Sequence, residues 1–106
     1  MPVPELHPDV RRAAVAKATA ARQERARLKA RLRTGAASFD DVLAAAVESE
    51  AIAKLRVSEV VESMPGYGPV TARRLMERLD IAASRRVRGL GPRQRAALHD
   101  AFGGDA

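Results

Sequence analysis

The sequence predicts an all-α fold of about five or six helices, a long basic one followed by a compact domain. Three observations carry this reading. Apolar residues recur at i, i+3, i+4 and i+7, and nowhere do they alternate as a half-buried strand requires. Only Phe39, Tyr67 and Phe102 are aromatic, so the core must be Leu, Val, Ile and Met carried on helices. Pro and Gly fall where helices begin and end rather than inside them. A chain of 106 residues makes one small domain with an appended arm. Residues 1–35 are expected to be a basic helical arm and residues 36–106 the compact domain.

The first helix is expected over roughly residues 8–34. Pro8 and Asp9 suit its first turn, Gly35 stops it, and the Ala- and Arg-rich body favours helix throughout. Its apolar side is thin until Leu28 and Leu32, so the C-terminal end docks and the N-terminal half projects. The second helix runs from about Ser38 to Glu48, with Ser38 as cap and Phe39, Val42, Leu43 and Ala46 on its core face. A short helical turn over Ser49–Leu55 buries Ile52 and Leu55. The next helix starts at Ser58, its Val57, Val60, Val61 and Met64 facing inward. Pro69 and Pro92 each open a further helix, with Ala72, Leu75, Met76 and Leu79 buried on the first and Leu98, Ala101 and Phe102 on the second. Gly103-Gly104 ends the last helix.

Charge narrows the function. Residues 1–34 carry net +6, residues 35–66 net −4 and residues 67–106 net +4. Two basic blocks around an acidic middle suit a polyanion touched at two surfaces. The 16 Arg against 3 Lys favour bidentate contacts to phosphate, although a GC-rich genome also raises Arg and Ala. The absence of Cys excludes disulfides, thiolate nucleophiles and Cys-held zinc or iron–sulfur clusters. His7 and His99 are too few for most other transition-metal sites, and no cofactor is expected. No apolar run approaches the roughly 20 residues of a membrane span. The opening MPVPELHPDV lacks a signal peptide's apolar stretch, so a soluble, cytoplasmic chain is expected.

Two constellations carry the chemistry. In Met64-Pro65-Gly66-Tyr67-Gly68-Pro69-Val70-Thr71-Ala72, two glycines let the backbone approach a ligand, and the helix opened by Pro69 adds its positive end. Such a nest grips phosphate without reading a base. Gly66, Tyr67, Gly68, Val70 and Thr71, with Arg73 and Arg74 beyond them, are the candidate contacts. In Ser84-Arg85-Arg86-Val87-Arg88-Gly89-Leu90-Gly91, Val87 and Leu90 anchor inward, which leaves Arg85, Arg86 and Arg88 outward because unpaired buried charge is costly. Ser84, Gly89 and Gly91 complete a possible second phosphate-binding turn, and Lys54 and Arg56 are weaker additions. The competing readings are structural: an ordinary helical corner, and a solvated loop whose arginines pair with Asp80 or Asp100.

The Pro-Gly-x-Gly pattern resembles a helix-hairpin-helix motif. Val57 to Phe102 resembles the helix-two-turn-helix domain of a bacterial small-subunit ribosomal protein and some DNA glycosylases. The run Met64–Gly68, Leu79-Asp80-Ile81-Ala82 and Ser84–Gly91 with Gln94 is similar to the actinobacterial integration host factor family, mycobacterial and Streptomyces type. That likeness spans about residues 8–103. It departs from the pattern at Tyr67, where a small aliphatic residue is commoner, and at Asp80, which replaces a frequent Gly. The resemblance implies a nucleoid-associated protein that binds and bends double-stranded DNA with little sequence preference and influences chromosome compaction, integration and transcription. It implies backbone phosphate contacts from Gly66 and Gly68 and further contacts from Arg85, Arg86 and Arg88. A phage or plasmid integrase is the further partner it implies. The enterobacterial host factor's β-arms are not part of this family.

An enzyme fits poorly. Met1-Pro2 is similar to the start of glycosylases with an N-terminal proline nucleophile, but residue 3 is Val rather than an acid. No Ser/His/Asp or paired-carboxylate site assembles with any specificity. The alternative class is an RNA- or ribosome-binding protein on the same two-turn scaffold. With no heptad seam, a monomer is expected, with no membrane partner.

Overall fold

The structure is a computed structural model that describes residues 7–103. The proline comparison at Met1-Pro2 and the stop at Gly104 lie outside the described residues. Six α-helices appear in the order α1 Pro8–Thr34, α2 Phe39–Glu48, α3 Glu50–Ala53, α4 Val57–Ser63, α5 Pro69–Arg78 and α6 Pro92–Ala101, with a 3-10 turn at Val87–Gly89 before α6. The chain is all-α, as its periodicity predicts. No β-strand occurs among the described residues, but one isolated antiparallel bridge joins Arg56 to Arg86.

Local signals set most helix ends. The His7 imidazole accepts the Asp9 N–H at the head of α1, and Gly35, at φ +79°, closes it. At the head of α2 the Ser38 hydroxyl accepts the Asp41 N–H while Asp41 accepts the Ser38 N–H, a reciprocal capping box. Those contacts, the Ser38 N–H foremost, hold the Asp41 carboxyl below the usual carboxylate range. After α5 the Asp80 N–H donates to Glu77 O and the Ile81 N–H to Met76 O. That is a Schellman stop with Asp80 at φ +57° in the seat that glycine usually takes.

The beginning of α4 differs from expectation. It starts at Val57 rather than Ser58, and the residue before it, Arg56, offers no side-chain cap. Non-local pairing sets this boundary: the Val57 N–H donates to Arg85 O and the Val87 N–H to Leu55 O, each at 2.9 Å.

Leu32, Val42, Ile52, Leu55, Val57, Val60, Val61 and Leu98 are sealed from solvent and form the centre of the core. Leu28 and Leu32 tie the end of α1 into it, while residues 8–18 of α1 are exposed throughout. A helix of 27 residues is about 40 Å long, so its first half projects as an arm and its last two turns belong to the core. The aromatic residues close one end: Phe102 packs 5.5 Å from both Phe39 and Tyr67.

Candidate nucleic-acid interface

The first corner lies between α4 and α5. The Tyr67 N–H donates to Met64 O, closing a turn with Pro65 and Gly66 at its centre. Gly66 has φ +82°, where a side chain is strained. Gly68 has φ −132°, extended backbone open to any residue, and a Cβ added there would meet nothing within 4 Å. Nothing inside the chain requires glycine at 68; its bareness makes room only for something outside. The N–H groups of Gly66, Gly68, Val70 and Thr71 have no hydrogen-bond partner among the described residues, and α5 has no side-chain cap. Four free donors at a helix N-terminus form a seat for an anion. Tyr67 does not join them. Its N–H is spent in the turn, its ring stands edge-on to Phe102, and its hydroxyl donates to Ala101 O at 3.5 Å.

The second corner gathers cations from two segments of the chain, residues 54–56 and 85–88. The bridge between Arg56 and Arg86 sets the 84–91 loop beside the end of α3. Arg86 Nη1 donates to Lys54 O, and Arg85 Nη1 donates to Gly89 O at 3.0 Å. Neither these arginines nor Arg88 forms an ion pair with Asp80 or Asp100 among the described residues. Lys54, Arg56, Ser84, Arg85, Arg86 and Arg88 are all exposed, so the additions at 54 and 56 belong to this corner. A Cβ at Gly89 would come within 3.2 Å of Cδ of the exposed Arg85 side chain.

In this corner the two glycine amides are already taken. The Gly89 N–H donates to Arg86 O, and the Gly91 N–H donates to the Gln94 side chain at 3.0 Å. The Pro-x-Gln spacing after Gly91 carried that capping signal. Arg95, for which no local sequence signal exists, braces the same loop through a 3.0 Å bond from Nη1 to Leu90 O.

The two corners sit at opposite ends of α4, whose seven residues span about 10 Å. Shallow depressions that share lining residues connect them: one holds Pro69, Arg73, Glu77 and Ile81, the next Glu77, Ile81 and Arg85, the last Ser84, Arg85, Arg86 and Arg88. These depressions run from Pro69 to Arg88 without including Gly66, Gly68, Val70 or Thr71, and the stretch is not uniformly cationic, because Glu62, Glu77 and Asp80 line it. Arg74 is exposed but lines none of these depressions. Among the described residues no metal-binding cluster occurs, and no helix is long and apolar enough to cross a membrane.

Two turns on a helical scaffold define the class, and the S13-like H2TH domain family matches residues 32–102. Similarity extends further along the chain. It is 50% identical over 103 residues to the integration host factor of Streptomyces coelicolor, covering 97% of this chain and 96% of that protein. It is 46% identical over 103 residues to the integration host factor of Mycobacterium tuberculosis, covering 97% and 98%. A solved structure of sIHF bound to an 8bp palindromic DNA aligns with TM-score 0.80 and 50% identity, over 83% of this chain and 99% of that one. The chain belongs to the integration host factor family.

Proposed function

We propose that this protein is a nucleoid-associated protein that grips the phosphates of double-stranded DNA with little sequence preference. The carrying observation is the pairing of four unbonded amides at Gly66, Gly68, Val70 and Thr71 with the cations Lys54, Arg56, Arg85, Arg86 and Arg88 at the far end of α4. The minor groove is about 6 Å wide, and adding the thickness of its two rails gives a span of about 12 Å. Corners at the two ends of a short helix offer one contact to each rail. Backbone amides and guanidiniums on phosphate position a protein without reading sequence. A family member of half-identical sequence bound to DNA supports the reading.

Residues 1–34 carry nine basic side chains, and those on the projecting half of α1, Arg11, Arg12 and Lys17, give the domain of residues 36–106 a second cationic surface. Two surfaces at an angle bend one duplex or bridge two. The role is architectural rather than catalytic, and its place is the nucleoid in the cytoplasm.

Competition between duplex DNA and duplex RNA of one sequence at fixed salt tests the reading. DNA should win. Tighter RNA binding would reverse the assignment toward the ribosomal relatives of the scaffold.

A further inference from the structure

The groove between the projecting half of α1 and the α2–α3 corner holds charge that the two corners leave unexplained. It encloses about 850 Å3, is floored by alanines of α1, and is rimmed by Lys17, Arg25, Glu48, Glu50 and Lys54. On this rim Lys54 Nζ lies 2.6 Å from Glu50 Oε1, one helical turn back. Lys54 also belongs to the second corner, since its carbonyl accepts from Arg86. Glu50 thus stands where three cation-bearing segments meet: the Lys54 hydrogen bond and charge act on it most strongly, then Lys17 from α1, and Arg88 from the 3-10 turn. Together they hold its carboxyl below the usual carboxylate range. Glu48, on the same rim, has no ion pair among the described residues.

We propose that Glu50 acts as an internal stand-in for a DNA phosphate, occupying Lys54 in the free chain and setting duplex affinity below what the cations alone would give. The proposal rests on the DNA-binding reading above. On binding, Lys54 exchanges the Glu50 carboxylate for a phosphate, so one attraction replaces another instead of being added. The freed carboxylate also recruits a cation from solution, which offsets part of the counterion release that drives binding. Glu50 is then an affinity-setting residue, and its restraint weakens as salt screens the pair.

The test titrates a labelled duplex with the full chain and its Glu50→Gln, Glu48→Gln, Lys54→Gln and Glu50→Gln/Lys54→Gln variants at several salt concentrations, with melting temperatures beside. Glu50→Gln should tighten binding about 2- to 5-fold at 0.1 M salt, the worth of an exposed ion pair. Glu48→Gln makes the same change in net charge and should fall short of that gain. In the Lys54→Gln background the Glu50→Gln gain should vanish. Equal gains from Glu48→Gln and Glu50→Gln, or a gain that survives loss of Lys54, would overturn the inference alone. Failure of the unmodified chain to bind duplex would overturn the functional reading, and this inference with it. Carboxyl 13C titration of the unmodified chain gives a check that no substitution can unsettle. On duplex addition the Glu50 carboxyl should rise toward the ordinary range, and the absence of a rise would overturn the exchange.

Discussion

Substituting Gly68 separates binding from folding. Its backbone is extended and a Cβ would touch nothing in the chain, so Gly68→Ala should leave the melting temperature within about 1 °C or raise it slightly through a stiffer unfolded chain. The same Cβ would project where a phosphate must come within about 3 Å of the free amides. Hydrogen bonds to a charged acceptor contribute about 1.5–3 kcal/mol each, so losing one weakens binding about 10- to 100-fold. Gly66→Ala is the contrast. At φ +82° it stores about 1–2 kcal/mol of left-handed strain and should lower the melting temperature by about 5–10 °C. Thermal melts followed by circular dichroism and duplex titration by fluorescence anisotropy read both effects. Gly68→Ala with unchanged melting and full affinity would refute the amide grip.

Replacing Arg85, Arg86 and Arg88 together with Gln should weaken binding to every duplex by a similar factor. The log–log salt slope should fall by about 2.7 if each touches one phosphate, and isothermal titration across a salt series measures it. Asp80→Gly should raise the melting temperature by about 2–6 °C, because Asp80 occupies the left-handed stop of α5 at φ +57°. The Asp41 carboxyl is held low by the Ser38 N–H and hydroxyl, so its folded-state value lies below its unfolded one. Its contribution is present above the unfolded value and is lost as pH falls through the folded one. Melting curves of the unmodified chain and Asp41→Asn should therefore differ at neutral pH and converge in acid.

Features set by neighbours along the chain were legible in the sequence. Gly35 ends α1, Ser38 and Asp41 open α2, and Pro69 and Pro92 begin their helices as composition predicts, since each signal acts within one helical turn. The Gly66–Thr71 turn and helix start were equally readable, because turn type and helix start are both local. The Arg56–Arg86 bridge was not. Two residues pairing across 30 positions leave no alternating pattern, yet this pairing sets the head of α4 and gathers Lys54 and Arg56 beside the loop arginines. At Gly91 the deciding signal is local: Gln94, three residues on, accepts its N–H and caps α6. Tyr67 sits in the same turn, and its ring packs edge-on against Phe102, a contact 35 positions away that no local signal announces.

Amide chemical-shift mapping on a short duplex tests the two-corner grip most directly. The Gly66, Gly68, Val70 and Thr71 resonances and those of residues 85–89 should move together at one stoichiometry, with the largest downfield changes at the four free amides. Shifts confined to the arm, with the glycine turn unmoved at saturating duplex, would contradict the account.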